Sequence, residues 1–270
     1  NECNIYVTNG WISGLFPPGK RMDSMAGVVF ANLMKAHVAC YRKLKALPNG
    51  LFCQIGLVHN MTQIDCLRPW HPLDRIFSKM LNYNFSETTV NFMKTGVFDF
   101  WLPFISKAYY SDPQAPQCND FVGLNYYSHT SLKFEFSLAN PFVLTQHERE
   151  FNLMTDMPYP IYAEGFYRAL NTMAEIGKPI YITENGVADK VDDGRRHLWI
   201  TRYLYVVSRC IQEGMDIRGF YYWSLLDNFE WCEGYDMCFG LYEVDFSTQK
   251  RTLRDGSKVF VKAVNEWTDH

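Results

Sequence analysis

The stretch Tyr181-Ile182-Thr183-Glu184-Asn185-Gly186 is the strongest structural signal in this chain of 270 residues. Residues 180–183 form a short apolar run, which is typical of a buried strand. An acidic side chain that closes such a strand is costly to bury unless it is paired or used in chemistry. The Asn-Gly pair behind it favours a tight turn that leaves the carboxylate exposed at the strand end. From spacing alone, Glu184 is either part of a structural ion pair or a catalytic group.

Polar side chains also close two other predicted strands. Asn125-Tyr126-Tyr127 follows residues 121–124, and Trp223-Ser224 ends residues 217–223. Short apolar strands that alternate with amphipathic helices indicate parallel βαβ units, as in doubly wound sheets and (β/α)8 barrels. A doubly wound sheet usually carries a glycine-rich phosphate turn, and this sequence has no G-x-G-x-x-G or Walker-type loop. The pattern therefore predicts an α/β fold of the (β/α)8 TIM-barrel class, with residues 1–270 in a single domain.

Helical periodicity and stop residues set the limits of the other elements. Gly177 and Pro179 end one predicted helix, and Gly214 ends another. The predicted helices cover residues 24–47, 87–100, 163–176, 195–213 and 258–267. The predicted strands cover residues 51–58, 121–124, 180–183 and 217–223.

Composition excludes some classes of function and leaves others open. The formal net charge of −3 gives no electrostatic reason to expect a nucleic acid or an anionic membrane as partner. No apolar run reaches the roughly 18 residues that a membrane-spanning helix needs. The aromatic content of 16% suits sugar-binding clefts as well as ordinary cores. The 8 cysteines include no C-x2-C pair, so free thiols are expected rather than a zinc ribbon. Two Asn-x-Ser/Thr tripeptides, at Asn60 and Asn84, are either glycosylation acceptors or chance.

Four motifs stand in a fixed order along the chain. They are Asn1-Glu2, then Asp120-Phe121-Val122-Gly123-Leu124-Asn125-Tyr126-Tyr127, then Ile182-Thr183-Glu184-Asn185-Gly186, and last Trp223-Ser224-Leu225-Leu226-Asp227-Asn228-Phe229-Glu230-Trp231 followed by Phe239-Gly240-Leu241. In this order they resemble family 1 of the glycoside hydrolases, the β-glucosidase and β-galactosidase group. There they correspond to the acid/base dipeptide, the sixth-strand signature, the nucleophile motif and the sugar-binding loop. The likeness is clear from about residue 120 onward.

The resemblance implies two catalytic carboxylates and a supporting tyrosine. Glu184 would be the nucleophile and Glu2 the general acid/base, while Tyr127 would donate a hydrogen bond to Glu184 and hold it ionised. A retaining mechanism needs two such carboxyl groups roughly 5–5.5 Å apart, one ionised and one protonated. Mutual repulsion and different surroundings can separate their pKa values into those roles. The resemblance implies no metal and no cofactor.

The same resemblance implies a sugar-binding set. Its members are Asn1, Asn125, Trp223, Glu230, Trp231 and Phe239. Asn1 would hydrogen-bond the sugar 2-hydroxyl, Glu230 would accept from the 4- and 6-hydroxyls, and Trp223 would form the pocket floor. Relatives that act on phosphorylated sugars replace the Glu230 position, so the implied substrate is an unphosphorylated β-glycoside.

The chain departs from the family pattern at three positions. Cys3 stands where the family usually has proline, and Tyr159 and Ala163 stand where it usually shows tryptophan and proline before a helix. That tryptophan contacts the leaving group, so the departure bears on the preference for the leaving group.

The acid/base dipeptide ends the fourth strand in the family. We therefore expect residues 1–270 to be the C-terminal half of the barrel, with strands five to eight and the end of strand four. As given, the chain is expected to be inactive and to self-associate. The competing interpretation is a non-catalytic, klotho-like barrel that acts as a binding protein. The presence of both Glu2 and Glu184 disfavours it, because binding alone does not require both acids.

Overall fold

A parallel sheet of four strands lies at the centre of the computed structural model, which describes residues 1–135, 142–145 and 153–268. The strands are β1 (Gly56–Asn60), β2 (Gln63–Cys66), β3 (Val97–Leu102), β4 (Ser106–Ser111), β5 (Phe121–Asn125), β6 (His129–Phe134), β7 (Phe142–Thr145), β8 (Ile180–Asn185), β9 (Ile217–Tyr222), β10 (Tyr242–Asp245) and β11 (Lys250–Leu253). The α-helices are α1 (Cys3–Val7), α2 (Ala26–Lys45), α3 (Pro72–Asn82), α4 (Thr88–Thr95), α5 (Ala163–Ala174), α6 (Arg195–Gln212) and α7 (Lys258–Thr268).

The central sheet has the order β1-β5-β8-β9, and each neighbouring pair is parallel. Its strands follow one another in chain order, whereas a doubly wound sheet reverses its order where it binds a ligand. A segment of a (β/α)8 barrel has this progressive order. Within the described residues, β1 and β9 are the outer strands of the sheet.

Side chains on one face of the central strands are buried. Val122 and Leu124 of β5 and Ile180 and Ile182 of β8, each two residues apart, are almost wholly inaccessible to solvent. Tyr181 and Thr183, on the other face of β8, are only partly buried. Helix α5 packs against β5 and α6. The stripe that it buries has helical spacing: Phe166, Ala169, Leu170 and Met173.

Most of the predicted elements agree with the structure within two residues at each end. The agreement covers the helices α2, α5, α6 and α7 and the strands β5, β8 and β9. The strand predicted for residues 51–58 is wrong at its start, because β1 begins only at Gly56. Leu51 and Phe52 lie in a short 3-10 turn and are 78% and 84% exposed. Their apolar character does not reflect burial in a strand.

The helix predicted for residues 87–100 is wrong in its second half. Helix α4 ends at Thr95, and Gly96 follows with φ +78°, a left-handed conformation that glycine adopts without steric cost. The chain then continues as β3, which forms an antiparallel hairpin with β4. The alternation of Phe98, Phe100 and Leu102 toward the core has the period of a strand. The three-stranded sheet β2-β6-β7 was likewise not expected from the sequence.

The cysteines and the two Asn-x-Ser/Thr tripeptides have structural explanations. All cysteine side chains are free thiols, and Cys3, Cys118, Cys210 and Cys238 are buried. Asn60 is 7% exposed and Asn84 is 1% exposed, and both side-chain amides donate hydrogen bonds inside the fold. These tripeptides therefore present no accessible asparagine on the folded surface. Among the residues that the structure describes, no helix is long and apolar enough to cross a membrane.

Candidate active site

Glu2 lies beside the C-terminal end of β1, although it is distant from that strand in sequence. Its backbone N–H donates to the carbonyl of Val58 at 3.0 Å, and α1 begins at the next residue. Glu2 has φ +48°, a left-handed conformation that is uncommon for a residue other than glycine. Such backbone conformations persist where the surrounding contacts impose them, and they are frequent at functional sites.

Two asparagine amides donate to the same carboxylate oxygen of Glu2. Asn60 Nδ2, at the end of β1, and Asn125 Nδ2, at the end of β5, each lie 2.9 Å from Glu2 Oε1. Asn60 and Asn125 are paired in register across the two parallel strands. Because the ends of adjacent parallel strands meet at one edge of the sheet, the two amides converge on Glu2.

Glu184 lies inside β8, paired with Asn125 across the sheet. The strand is two residues longer than predicted, so Glu184 is held by the sheet rather than by the turn that follows. The hydroxyl of Tyr127 donates to Glu184 Oε2 at 2.8 Å, and Asn1 Nδ2 donates to Oε1 at 3.4 Å. Asn125 donates to Glu2 and pairs in register with Glu184, so one residue borders both predicted catalytic carboxylates.

Burial and charge determine the protonation of this group. Burial raises the pKa of Glu184, and the negative charge of Glu2 raises it further. The hydrogen bonds from Tyr127, Asn125 and Asn1 oppose that rise, because they favour the ionised form. Burial, with Glu184 beside it, holds the pKa of Tyr127 well above its ordinary value. Tyr127 therefore stays protonated and remains a donor to Glu184.

Glu230 and Trp223 form a second polar group on the long loop between β9 and β10. Trp223 follows β9 directly, and its indole N–H donates to Glu230 Oε2 at 3.4 Å. Burial raises the pKa of Glu230; the indole hydrogen bond opposes this rise, and Glu2 and Glu233 add to it. The charge of Glu230 also acts on Tyr127, so the two polar groups share one cleft.

Two buried arginines hold this loop. The guanidinium of Arg254 forms a double hydrogen bond with Asp227, at 2.9 Å to each oxygen. Asp227 in turn accepts from the backbone N–H groups of Gly240 and Val244. Arg196, at the start of α6, donates to the carbonyls of Cys238 and Phe239. The loop that carries the predicted sugar-binding residues is thereby fixed to the body of the fold.

Phe239 and Trp231 have different surroundings. Phe239 is buried and packs edge-on against Tyr127, with ring centroids 6.0 Å apart and an interplanar angle of 83°. Trp231 is 67% exposed and packs against Phe16, with ring centroids 5.6 Å apart. The structure thus brings Phe239 against the predicted catalytic group, and Trp231 to the rim of the cleft.

The predicted site residues are connected to different degrees. Direct hydrogen bonds join five of them: Asn1, Glu2, Asn125, Tyr127 and Glu184. Phe239 joins this group through its ring contact with Tyr127, and Trp223 with Glu230 forms the neighbouring pair.

The sequence motifs did not assign a role to several residues that border the site. Thr62 Oγ1 donates to Asn60 Oδ1 at 3.1 Å, and Thr183 Oγ1 donates to Asn125 Oδ1 at 2.6 Å. Burial raises the pKa of Tyr159, a residue that departs from the family pattern, and the charges of Glu230 and Glu2 add to that rise. The position of Asn60 after an apolar strand was a usable signal, whereas nothing local marked Thr62.

Comparison with known proteins agrees with this geometry. The sequence model of the family described as Glycosyl hydrolase family 1 matches residues 1–269 of this chain. Beta-glucosidase A of Thermotoga maritima is 33% identical over 272 residues, which cover 94% of this chain and 60% of that protein. Beta-galactosidase of Pyrococcus woesei is 26% identical over 285 residues, which cover 95% of this chain and 54% of that protein.

The solved structure of a β-glycosidase from Pyrococcus horikoshii superimposes with a TM-score of 0.83 at 32% identity, over 96% of this chain and 58% of that one. This likeness gives the chain the fold of a (β/α)8-barrel glycosidase over the part that it covers. The chain spans little more than half the length of the proteins that it matches.

Proposed function

Because this chain belongs to glycosyl hydrolase family 1, we propose that the complete protein is a retaining exo-β-glycosidase. Its substrates are unphosphorylated β-glucosides, with β-galactosides as a second class. Residues 1–270 supply the C-terminal part of one barrel domain, with strands five to eight and the end of strand four. In the complete protein, the other strands of the barrel would complete the sheet and the sugar pocket.

The observation that carries this proposal is the position of Asn125 between two carboxylates of different surroundings. Its amide donates to Glu2, and its backbone pairs in register with Glu184, whose pKa the charge of Glu2 raises. Glu184 accepts hydrogen bonds from Tyr127 and Asn1, which favour its ionised form. Glu2 accepts hydrogen bonds from the amides of Asn60 and Asn125, both on the same oxygen. A retaining mechanism uses such a pair, with one group attacking and the other supplying a proton.

The reaction then has two steps. In the first, Glu184 attacks the anomeric carbon while Glu2 protonates the glycosidic oxygen, so that the leaving group departs as a neutral alcohol. In the second, Glu2 takes a proton from water, the water oxygen bonds to the anomeric carbon, and the bond to Glu184 breaks. The two inversions together retain the β configuration.

Glu230 and Trp223 support an unphosphorylated sugar as substrate. A half-buried carboxylate beside an indole N–H offers acceptors for two sugar hydroxyls, and it repels a phosphate. Tyr159 borders the same cleft at the position where the family usually has tryptophan, and we assign it to the leaving-group side. A non-catalytic binding barrel is disfavoured because sugar binding requires neither Glu2 nor its two amide donors.

The test uses the complete protein and an aryl β-glucoside. Glu184→Ala should abolish hydrolysis, and added azide should give the α-glycosyl azide, since azide attacks from the face that Glu184 occupied. Glu2→Ala with azide should instead give the β-glycosyl azide, because the glycosyl-enzyme still forms and is attacked from the other face.

Glu233→Ala is the matched control, because Glu233 is an exposed carboxylate of the same cleft rim. It should hydrolyse the glucoside at nearly the wild-type rate. Wild-type activity in Glu184→Ala, or the same azide anomer from both variants, would overturn the assignment.

A further inference from the structure

The carboxyl group of Glu2 is bonded asymmetrically. Oε1 accepts two N–H groups, from Asn60 and Asn125 at 2.9 Å each. Among the residues that the structure describes, no hydrogen bond reaches Oε2. The two oxygens of this carboxyl group are therefore chemically different before any substrate binds.

When such a carboxyl group carries a proton, the oxygen that accepts two N–H donors is its carbonyl oxygen. A proton on that oxygen would face the hydrogens of both amides, whereas a proton on the other oxygen meets no such repulsion. We propose that Asn60 is a positioning residue that holds the acidic proton of Glu2 on Oε2, where this proton can reach the glycosidic oxygen. Thr62 supports Asn60 by donating a hydrogen bond to its side-chain oxygen. This inference rests on the proposed glycosidase function.

The surroundings of Asn60 fix its amide in place. Its backbone carbonyl accepts from the buried Asn4 at 2.8 Å, and Asn4 also donates to the carbonyl of Phe85 at 3.0 Å. Its side-chain oxygen accepts from Thr62 at 3.1 Å, so the amide nitrogen is directed at Glu2. Leaving a buried amide group without a partner is costly, so the side chain has little freedom to turn away.

The hydrogen bond between Thr62 and Asn60 also gives a structural role to the tripeptide Asn60-Met61-Thr62. Its spacing places the threonine hydroxyl within reach of the asparagine side chain two residues earlier. In the folded protein the two side chains bond to each other and then to Glu2. Thr183 and Asn125 form an equivalent pair. Thr183 donates to the side-chain oxygen of Asn125, and the amide nitrogen of Asn125 donates to the same oxygen of Glu2.

The experiment compares two substrates that differ in their need for the proton. Phenyl β-glucoside has a poor leaving group that requires protonation, whereas 2,4-dinitrophenyl β-glucoside has a leaving group that departs as an anion. The variants of the complete protein are Asn60→Leu, which removes the N–H donor at similar size, and Thr62→Val, which removes only the hydroxyl. Thr62→Ser is the matched control, because it keeps the hydroxyl.

For Asn60→Leu we expect kcat/KM on phenyl β-glucoside to fall about tenfold, with less than about a twofold change on the dinitrophenyl substrate. Thr62→Val should lower the ratio of kcat/KM on phenyl β-glucoside to kcat/KM on the dinitrophenyl substrate, by a smaller factor than Asn60→Leu does. Thr62→Ser should keep this ratio at the wild-type value. Thermal unfolding of each variant shows whether it is folded.

Equal losses on both substrates, or no loss on either in a folded variant, would overturn the role of Asn60. A wild-type protein that hydrolyses neither substrate would instead overturn the proposed function. Where Asn60→Leu does not fold, the ratio for Thr62→Val decides, and an unchanged ratio there contradicts the inference.

Discussion

At the scale of single residues, the protonation of Glu184 depends on a balance that one hydroxyl can change. Burial and Glu2 raise its pKa, and the Tyr127 hydroxyl opposes that rise. In the proposed mechanism, attack by Glu184 requires its ionised form, so we expect activity above this pKa and its loss as the pH falls through it. The acid limb of the pH profile should therefore lie above that of an ordinary glutamate.

We predict that Tyr127→Phe moves this acid limb to still higher pH. The change removes a donor that favours the carboxylate and keeps the ring that packs against Phe239. The measurement is kcat/KM of the complete protein on an aryl β-glucoside as a function of pH. Tyr126→Phe is the matched control, since the hydroxyl of Tyr126 donates to the carbonyl of Tyr162 and not to Glu184. An acid limb that is unchanged in Tyr127→Phe would contradict the role given to its hydroxyl.

A second prediction at this scale concerns Glu230. Glu230→Ser should lower kcat/KM on an unphosphorylated glucoside by one to two orders of magnitude, because a hydrogen bond to a charged group contributes about 1.5–3 kcal/mol. Glu233→Ser, at an exposed neighbour, should change it by less than about twofold. A loss below about threefold for Glu230→Ser would place Glu230 outside the sugar pocket.

At the scale of elements, local signals located the strands of the central sheet well and failed where tertiary pairing decides. Residues 180–183 form a short, mainly apolar run of strand-forming residues, so a strand could be predicted there. Residues 97–102 have an equally apolar pattern, but they form a hairpin whose partner cannot be identified from periodicity. The site residues on strand ends could be predicted for the same reason as the strands. Thr62 could not, because its role comes only from the side chains that the fold brings near.

The element-scale prediction concerns the ion pair that holds the loop of the predicted sugar-binding residues. Arg254 and Asp227 are 4% and 5% exposed, and Arg254→Met leaves the Asp227 carboxylate buried without its partner. Removing one member of a buried pair costs about 3–5 kcal/mol, so we expect a loss of that size in the free energy of unfolding. Urea denaturation of the complete protein measures it.

The matched control for this prediction is Arg209→Met, which breaks an exposed pair with Glu213 on α6. This change should lower the free energy of unfolding by no more than about 1 kcal/mol. Equal costs for the two variants would show that the loop does not depend on the buried pair.

At the scale of the whole molecule, the site exists because strands distant in sequence end side by side. Asn1 and Glu184 are 183 positions apart and share a hydrogen bond. The barrel class was predicted from the pattern of parallel units, whereas the convergence of Asn1 and Glu2 with Glu184 was implied by the resemblance of the motifs to a known family. Contacts between the two carboxylates and the asparagine amides follow from strand register, which the sequence alone does not specify.

The sheet that creates the site is open in residues 1–270. Its outer strands, β1 and β9, each pair on one side only among the described residues. Beside β9 lies an apolar cavity of about 250 Å³, bordered by Ile217, Phe220, Phe260 and the exposed Trp267. Unpaired strand edges and exposed apolar surfaces favour association with other chains.

We therefore predict that residues 1–270, produced alone, are inactive on an aryl β-glucoside and associate with one another. Sedimentation velocity should find oligomers or aggregates rather than a monomer, because β9 pairs on one side only within the part of the chain that the structure describes. Tyr221→Lys, at an exposed position of β9, should reduce the association, since a lysine on an edge strand opposes pairing. Tyr205→Lys, at an exposed position of α6, adds the same charge away from the sheet edge and should leave the association unchanged. A monomer that unfolds cooperatively and hydrolyses the glucoside would show that the four parallel strands suffice for both folding and catalysis, and that no further strands are needed.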